Sequence, residues 1–357
     1  MELINKMFHL YSKINKDKIY IIAEMSANHG GKIENALRIV QEAAKAGADC
    51  LKIQTYTADS LTIDCDNEYF RINEGLWDGY KLFNLYQTAG TPYEWQGRIK
   101  EECERCGVDF LSTPFDREGV DFLEALGAEA YKIASFELVD IPLIEYTASK
   151  GKPMLISTGM GSIEEIQEAV NACKKVGNEQ IILLKCCSEY PASWRDMHLG
   201  NIADMKCRFG VPIGLSDHSI GSLGAVVGVT LGACVIEKHV KLEGVESADS
   251  KFSMPMDEFA QMVKDVRNAR LIAQGPDYSL TEGEQAQEVF RRSIFAVKDI
   301  KDGDLFTEEN IRIIRPGYGI APKYMAELLG KRSKRFIKRG EPIQKDDLEQ
   351  IMVEGNI

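Results

Sequence analysis

The hydrophobic pattern of this sequence alternates between short apolar runs rich in β-branched residues and longer segments with the periodicity of amphipathic helices. Eight such runs occur, at residues 19–28, 50–57, 109–115, 130–137, 153–159, 181–191, 212–219 and 234–240. The segments between them include ENALRIVQEAAKAG, PYEWQGRIKEECERCG, REGVDFLEALG and IEEIQEAVNACKKVG, each closing with a glycine suited to end a helix. This alternation is typical of repeated βα units around a parallel sheet.

The number of repeats predicts a closed (β/α)8 barrel over residues 1–280, because eight βα units in a segment of this length match that fold. A doubly wound open sheet is the alternative. The first run is not followed by the GxGxxG turn that such sheets carry for dinucleotides, which favours the barrel. Polar residues at the carboxyl ends of the strands should then meet at one mouth.

Two segments depart from the alternation. The insertion ADSLTIDCDNEYFRINEGLWDGYKLFNLYQTAG after the second run is long and aromatic, which predicts a lid or a substrate wall. Residues 281–357 contain short strands, glycine turns and many basic residues, which predict a linker and a small β-rich domain. Taken alone, these basic residues indicate no more than a solvated face.

Composition excludes several classes of protein. The chain has 357 residues, 44% of them hydrophobic, and a formal net charge of −12, which argues against binding to nucleic acid. No window approaches the roughly eighteen apolar residues of a membrane span, and the first residues lack a secretory signal, so we expect a cytoplasmic protein that does not enter membranes. The nine scattered cysteines are expected to be free thiols; CERC at 103–106 lacks a second pair for zinc.

The predicted mouth is unusually polar. Its members are Glu24, Asn28, His29, Lys52, Gln54, Tyr56, Ser112, Thr113, Lys132, Ser135, Glu137, Ser157, Thr158, Lys185, Ser188, Tyr190, Ser216, Asp217, His218, Glu237, Lys238 and His239. A lysine buried without a partner is costly, so Lys52, Lys132 and Lys185 indicate a phosphate or carboxylate ligand, held with help from the hydroxyls.

Glutamates offer the alternative explanation for these lysines. Each lysine would then form a salt bridge with Glu24, Glu137 or Glu237 inside the barrel. Glu24 is also the best placed carboxylate for proton transfer or for binding a hydroxyl, and the two roles are compatible. His29 precedes a glycine pair that is explained equally by a ligand contact and by an ordinary βα turn.

The seventh and eighth runs, GLSDHSIG and CVIEKHV, both place a histidine near their ends. Strands 7 and 8 are neighbours in a barrel, so His218 and His239 should reach one point at the rim. Two imidazoles with a carboxylate nearby and open positions describe a divalent metal site. Mn²⁺ is the first choice, with Mg²⁺ and Co²⁺ as alternatives. A hydrogen-bonded structural histidine is the alternative for either position alone.

The sequence resembles the sialic acid synthase family, which condenses phosphoenolpyruvate with an acylated amino sugar to make nine-carbon ulosonic acids. The matching stretches are IAEMSANHGG, AGADCLKIQTY, LSTPFD, YKIASFE, GKPMLISTGM, LLKCCSEYP, GLSDHSIG, VIEKHV, DSKFSM, FRRSIFAVKDIKDGD and IRPGYGIAPK. They occur in order along nearly the whole chain and include the C-terminal antifreeze-like domain (SAF, β-clip). Within the family, AEMSANH together with GLWDGYKLFNLYQTAGTPYEW resembles the pseudaminic acid branch more than the N-acetylneuraminate or legionaminate branches.

The resemblance implies a role for each candidate residue. The metal ligands would be His218 and His239, with Glu237 beside them. The residues holding phosphoenolpyruvate would be Lys52, Thr113, Lys132, Ser135, Ser157 and Ser216. The sugar-facing or catalytic residues would be Glu24, Tyr190 and Asp249, with Gln54 as a further substrate contact. Arg315 in IRPGYG would reach the active site of a partner subunit, which implies a domain-swapped homodimer. ESADSKFSM lacks the histidine that commonly follows this aspartate in the family, so the resemblance does not specify the contacts of Asp249.

The reaction implied is a metal-assisted, aldol-like addition of phosphoenolpyruvate to the aldehyde of 2,4-diacetamido-2,4,6-trideoxy-L-altrose, giving pseudaminic acid and phosphate. A Schiff base on Lys132 or Lys185 is the competing chemistry, but it leaves the hydroxyls and the paired histidines unexplained. A legionaminate or N-acetylneuraminate synthase is the alternative within the family, and a binding barrel without turnover is the alternative outside enzymes.

Overall fold

The computed structural model describes residue 13, residues 18–73 and residues 77–348. The chain divides into two compact units, Met1–Gln274 and Gly275–Ile357, each with its own core.

The first unit is a closed parallel barrel. Its strands are β1 (Tyr20–Glu24), β2 (Cys50–Thr55), β3 (Asp109–Pro114), β4 (Tyr131–Ile133), β5 (Met154–Ser157), β6 (Ile181–Cys186), β7 (Ile213–Asp217) and β8 (Val235–Lys241). Each strand pairs in parallel with the next, and β1 pairs with β8 to close the ring. The predicted (β/α)8 barrel is thereby confirmed. A short strand β9 (Met254–Pro255) extends beside the end of β8.

Helices surround the barrel. They are α1 (Ile33–Ala46), α2 (Ala58–Leu61), α3 (Leu82–Ala89), α4 (Tyr93–Cys106), α5 (Arg117–Ala125), α6 (Ile141–Ala148), α7 (Ile163–Lys175), α8 (Asn201–Phe209), α9 (Leu223–Thr230) and α10 (Met256–Ile272). In α1 the buried residues Ala36, Ile39, Val40 and Ala43 recur at helical spacing and face the sheet. The helix ends at Gly47, whose φ of 95° suits glycine.

The strands bury two separate apolar layers. The layer inside the barrel contains Tyr20, Ile22, Cys50, Leu111, Ala130, Leu155, Ile182, Leu184 and Val235, and a larger layer lies between the strands and the helices. Because side chains alternate along a strand, the residue two positions beyond the last inner residue of each strand also faces inward. Those positions hold Glu24, Lys52, Thr113, Lys132, Ser157, Cys186 and Glu237, which contribute to the mouth described below.

The insertion after β2 contains α2 and α3 and carries aromatic rings to the carboxyl end of the barrel. Tyr56 packs edge-on against Phe115 and Tyr86, with ring centroids 5.3 and 6.1 Å apart. The edge-to-face geometry adds a modest stabilisation to the burial of these rings.

The second unit is small and β-rich, as the sequence predicts. Strands β10 (Ser293–Ala296) and β11 (Ile311–Ile314) pair antiparallel, and two short helices, α11 (Glu282–Gln287) and α12 (Met325–Leu328), accompany them. The core of the unit consists of Ile294, Ala296, Ile300, Phe306, Ile311, Ile320, Leu328, Ile337, Ile343 and Leu348.

Two further sequence-level expectations concern membranes and cysteines. Within the described residues, no helix combines the length and the apolar character that crossing a membrane requires. All nine cysteines lie in the described part of the chain and are free thiols there. The CERC pair lies within α4, with Cys103 buried and Cys106 half-buried.

Gly214 provides a test of the barrel packing. A Cβ at this position in β7 would lie 2.6 Å from Leu184 Cδ2 and 2.7 Å from Val235 Cβ. We expect Gly214→Ala to lower the free energy of unfolding by about 1–3 kcal/mol, because the core is overpacked. Gly275→Ala is the matched control, since a Cβ there meets nothing within 4 Å. It should stay within about 0.5 kcal/mol of the original chain in urea unfolding. Equal losses in the two variants would contradict this packing.

Candidate active site

Two glutamates and two lysines form a buried charge network at the centre of the mouth. Lys52 Nζ lies 2.7 Å from Glu24 Oε2 on the neighbouring strand. The Glu237 carboxylate lies 3.9 Å from Lys52 Nζ and 3.9 Å from Lys132 Nζ. All four side chains are at most 4% exposed. Two positive and two negative charges balance, which allows the lysines to remain buried.

The network separates the pKa values of its two carboxyl groups. Burial raises the pKa of Glu24 to about 7, although Lys52 opposes this effect. Burial also acts on Glu237, but Lys132 and Lys52 outweigh it and lower the pKa of that carboxyl. Burial lowers the pKa of Lys132. Of the two carboxyl groups of this network, Glu24 is therefore the one that changes protonation near neutral pH, while Glu237 stays ionised.

Hydroxyl groups surround the lysines. The contacts are Lys132 Nζ to Ser157 Oγ at 2.6 Å, Lys52 Nζ to Thr113 Oγ1 at 3.3 Å, and Ser216 Oγ to Glu237 Oε1 at 3.0 Å. Ammonium and hydroxyl groups are donors that can turn from these partners to an incoming phosphate or carboxylate. The salt-bridge explanation thus holds for Lys52, and it coexists with a constellation suited to an anion.

Ser135 and Gly159 form one edge of this constellation. Ser135 follows β4, and its Oγ accepts a hydrogen bond from the Gly159 backbone N–H at 3.2 Å. A Cβ on Gly159 would overlap Ser188 Oγ, so only glycine allows the two loops to approach this closely. Glu137, two residues beyond Ser135, has a buried Oε2 without a hydrogen-bond partner, and burial raises its pKa to about 7.

The two histidines meet at the end of β7 and in β8, as predicted from the strand order. The ring centroids of His218 and His239 are 5.4 Å apart. His218 Nδ1 lies 2.9 Å from the Cys187 carbonyl oxygen, which orients the ring and leaves Nε2 for another partner. His239 Nδ1 is buried and lacks a hydrogen-bond partner.

The histidine pair suits a metal ion in two respects. An orphaned buried imidazole nitrogen requires a partner, and burial and His218 lower the pKa of His239 well below its usual range, which favours the neutral form that binds metals. No group of three or more His, Cys, Asp or Glu side chains in the described residues has a metal-binding arrangement. The protein would therefore supply two imidazoles and leave the remaining positions to other ligands.

Aromatic side chains line the histidine side of the mouth. Tyr190, in the loop after β6, packs on His218 with ring centroids 4.3 Å apart and on Phe252 at 5.0 Å. Phe252 also lies 5.0 Å from His239. Phe252 is missed by sequence reasoning, although it lies within the DSKFSM stretch.

Asp249 and Gln54 are held at the same end of the barrel. Asp249 Oδ2 accepts hydrogen bonds from Ser26 Oγ at 2.5 Å and from the Ala27 N–H at 3.3 Å. Burial raises the pKa of Asp249. Gln54 Nε2 donates to Glu24 Oε1 at 3.2 Å, which ties Gln54 to the charge network.

Other predicted members of the mouth face away from it. Lys238 forms a 2.9 Å ion pair with Asp217, and both side chains are buried towards the helices. Lys185 follows Leu184 of the inner layer, so it faces outward, where its Nζ donates to the Cys186 carbonyl oxygen at 2.8 Å. Because side chains alternate along β6, the same pattern that points Lys185 outward places Cys186 inside the barrel.

Cys186 is a mouth residue that the sequence reasoning missed. Its Sγ lies 3.7 Å from His218 Nδ1. Burial would raise the pKa of this thiol, but His218 outweighs burial and lowers it to about 7. Counting in steps of two from the inner residues Ile182 and Leu184 reaches Cys186.

Arg315 belongs to the second unit. It follows β11 directly, and its side chain is exposed.

The fold and this mouth define a barrel protein with a buried constellation of lysines, carboxylates and hydroxyls beside a histidine pair. The NeuB family profile matches residues 39–277, and the SAF domain profile matches residues 291–349. The chain therefore belongs to the NeuB family and carries a SAF domain.

Relatives and a solved structure resemble the chain over most of its length. The pseudaminic acid synthase of Campylobacter jejuni subsp. jejuni serotype O:2 is 46% identical over 333 residues, covering 93% of this chain and 97% of the relative. That of Helicobacter pylori is 38% identical, covering 93% and 98%. The crystal structure of N-acetylneuraminic acid (sialic acid) synthetase from Leptospira borgpetersenii has a TM-score of 0.68 and 32% identity, covering 76% of this chain and 90% of that one.

The outward ion pair predicts a loss of stability. Asp217→Asn leaves the buried Lys238 ammonium without its counter-charge, which should lower the free energy of unfolding by about 3–5 kcal/mol. Replacing both residues, with Asp217→Leu and Lys238→Met, should recover much of this loss. Glu309→Gln is the matched control, because the Lys298–Glu309 pair is 61% and 83% exposed. Its loss should be about 0–1 kcal/mol in urea unfolding. A loss this small for Asp217→Asn would show that the Asp217–Lys238 pair does not stabilise the fold.

Proposed function

We propose that this protein condenses phosphoenolpyruvate with 2,4-diacetamido-2,4,6-trideoxy-L-altrose to give pseudaminic acid and inorganic phosphate. The observation that carries the proposal is 46% identity to a pseudaminic acid synthase over 93% of the chain. The buried lysines beside the histidine pair provide what this chemistry requires, which is an anion site next to a site for an aldehyde.

Phosphoenolpyruvate occupies the lysine side of the mouth. Its carboxylate and phosphate accept hydrogen bonds from Lys52 and Lys132 and from hydroxyls within two residues of the carboxyl ends of the strands. The hydroxyl contributors are Thr113, Ser135, Ser157 and Ser216. Lys132 is the most available cation, because it lies 3.9 Å from Glu237 whereas Lys52 is in direct contact with Glu24.

The acceptor sugar occupies the histidine side. Asp249, Gln54 and Tyr190 bind its polar groups and its ring or chain carbons. His218 and His239 would hold a divalent ion, with Mn²⁺ as the first choice and Mg²⁺ or Co²⁺ as alternatives, and such an ion would supply Lewis-acid chemistry towards the aldehyde oxygen. The orphaned His239 Nδ1 supports this assignment.

In the reaction, C3 of phosphoenolpyruvate forms a bond with the aldehyde carbon, and the aldehyde oxygen becomes a hydroxyl. Water adds to C2, the C2–O bond to phosphate breaks, and the C2 hydroxyl loses its proton to become the ketone. One water proton ends on the new sugar hydroxyl and the other leaves with phosphate. The barrel fixes the two carbons in register, and Lys52 and Lys132 stabilise the departing phosphate. Glu24 accepts a proton or holds the reacting hydroxyl.

The proposed assembly is a homodimer in which Arg315 of each subunit completes the mouth of the other, in the cytoplasm. The exposed position of Arg315 after β11 is compatible with such a contact.

Phosphate release tests the proposed function. We expect turnover with the altrose sugar, much slower turnover with N-acetylmannosamine and with the legionaminate precursor, and loss of activity after chelation with recovery on adding Mn²⁺. The assay measures inorganic phosphate and the nine-carbon product by mass spectrometry. Turnover only with N-acetylmannosamine or the legionaminate precursor would move the protein to another branch of the family. Binding without release would favour the non-catalytic barrel. Covalent attachment of a substrate to Lys132 after borohydride reduction would favour the Schiff-base mechanism.

The raised pKa of Glu24 predicts a pH dependence. The Glu24 carboxyl ionises around a pKa of about 7, so kcat/KM should rise from about pH 6 to about pH 8 as the base forms. Glu24→Gln should lower kcat by about 10²–10⁴-fold and abolish this limb, because the amide does not titrate. Exposed Glu129 gives the control variant Glu129→Gln, which should keep both rate and profile. If kcat/KM of Glu24→Gln still rises over the same pH range, the group that titrates is not Glu24.

A further inference from the structure

The insertion after β2 delivers one aromatic residue to the histidine side of the mouth. Trp77 Nε1 donates a hydrogen bond to the Ala248 carbonyl oxygen at 3.2 Å, which joins the insertion to the loop after β8. Ala248 immediately precedes Asp249. The insertion is therefore attached beside a residue assigned to the sugar site.

The indole of Trp77 is the outer part of a continuous aromatic wall formed by Trp77, Tyr190 and Phe252. Its ring centroid lies 6.0 Å from Tyr190 and 6.4 Å from Phe252. Tyr190 contacts the ring of His218, and Phe252 contacts the ring of His239. The wall thus runs from the histidine pair outward, and it ends at the half-buried Trp77.

The position of the wall limits where the acceptor can lie. The reacting aldehyde must approach the histidines on one side and phosphoenolpyruvate on the other, and the charged lysine side is taken by phosphoenolpyruvate. The rest of the sugar chain then extends along the aromatic wall. A six-carbon acceptor with its first carbon at the histidines places its far end towards Trp77.

We infer that Trp77 determines acceptor specificity by packing against the C6 methyl group of a 6-deoxy sugar. The faces of the aromatic rings bury methyl groups favourably. The indole has a single donor and no acceptor, and that donor is engaged by Ala248. A hydroxyl placed against this surface loses its hydrogen bonds to water, which is costly. The inference rests on the proposed function and extends it to one residue of the insertion.

Two acceptors that differ at one carbon test the inference most directly. One is 2,4-diacetamido-2,4,6-trideoxy-L-altrose, and the other is the analogue that keeps the C6 hydroxyl. The original enzyme should prefer the 6-deoxy sugar in kcat/KM by about tenfold or more. Trp77→Ala should lower kcat/KM for the 6-deoxy sugar and reduce the preference to about threefold or less, while the KM for phosphoenolpyruvate stays unchanged.

Two further variants separate specificity from structure. Trp77→Phe keeps an apolar ring and removes the donor to Ala248, so it should retain most of the preference. Tyr69→Ala is the matched control, because Tyr69 belongs to the same insertion and is 79% exposed. It should leave both the preference and the rates unchanged. Thermal unfolding of every variant shows whether the barrel remains folded.

The outcomes distinguish the inference from the function beneath it. If Trp77→Ala slows both acceptors equally, or if it retains the original preference, Trp77 only holds the insertion in place and the inference is wrong. The same conclusion follows if Trp77→Phe loses the preference as fully as Trp77→Ala does, since the Ala248 hydrogen bond would then be decisive. If the original enzyme releases no phosphate with the 6-deoxy sugar, the proposed function and the inference both fail.

Discussion

The balance of charge inside the barrel is the constraint on which the mouth depends. Lys52 and Lys132 are buried in a parallel sheet, where an unpaired ammonium would be untenable, and Glu24 and Glu237 provide the opposite charges. The same balance sets one carboxyl to titrate near neutral pH and keeps the other ionised. The residues that satisfy this structural need are therefore the ones that the proposed reaction would use, and the two roles do not have to be treated as alternatives.

Much of the fold was predictable because the strands are short, apolar and regularly spaced. The eight runs and the glycines that close the helices give the barrel, and the change of pattern near residue 281 gives the small second domain. The histidine pair was predictable for the same reason, since neighbouring strands of a barrel must bring the ends of β7 and β8 together.

The part of the site that the sequence reasoning did not reveal was the direction in which individual strand side chains point. Lys185 in β6 and Lys238 in β8 both face outward, whereas Cys186, the residue after Lys185, faces inward. Alternation along each strand distinguishes these cases, provided that one inner residue is known. Loop residues such as Phe252 and Trp77 follow no such period, because their positions depend on how the insertion and the loop after β8 pack together.

The ion pair behind the sheet has a consequence for the spacing of the two histidines. Asp217 pairs in register with Lys238, one residue from His218 and from His239 respectively, and both side chains point away from the mouth. This contact clamps the two strands together and so fixes the separation of the imidazoles from the opposite face. Mutations at the helix-facing surface could therefore change the spacing of the two imidazoles while every side chain of the mouth stayed as it was.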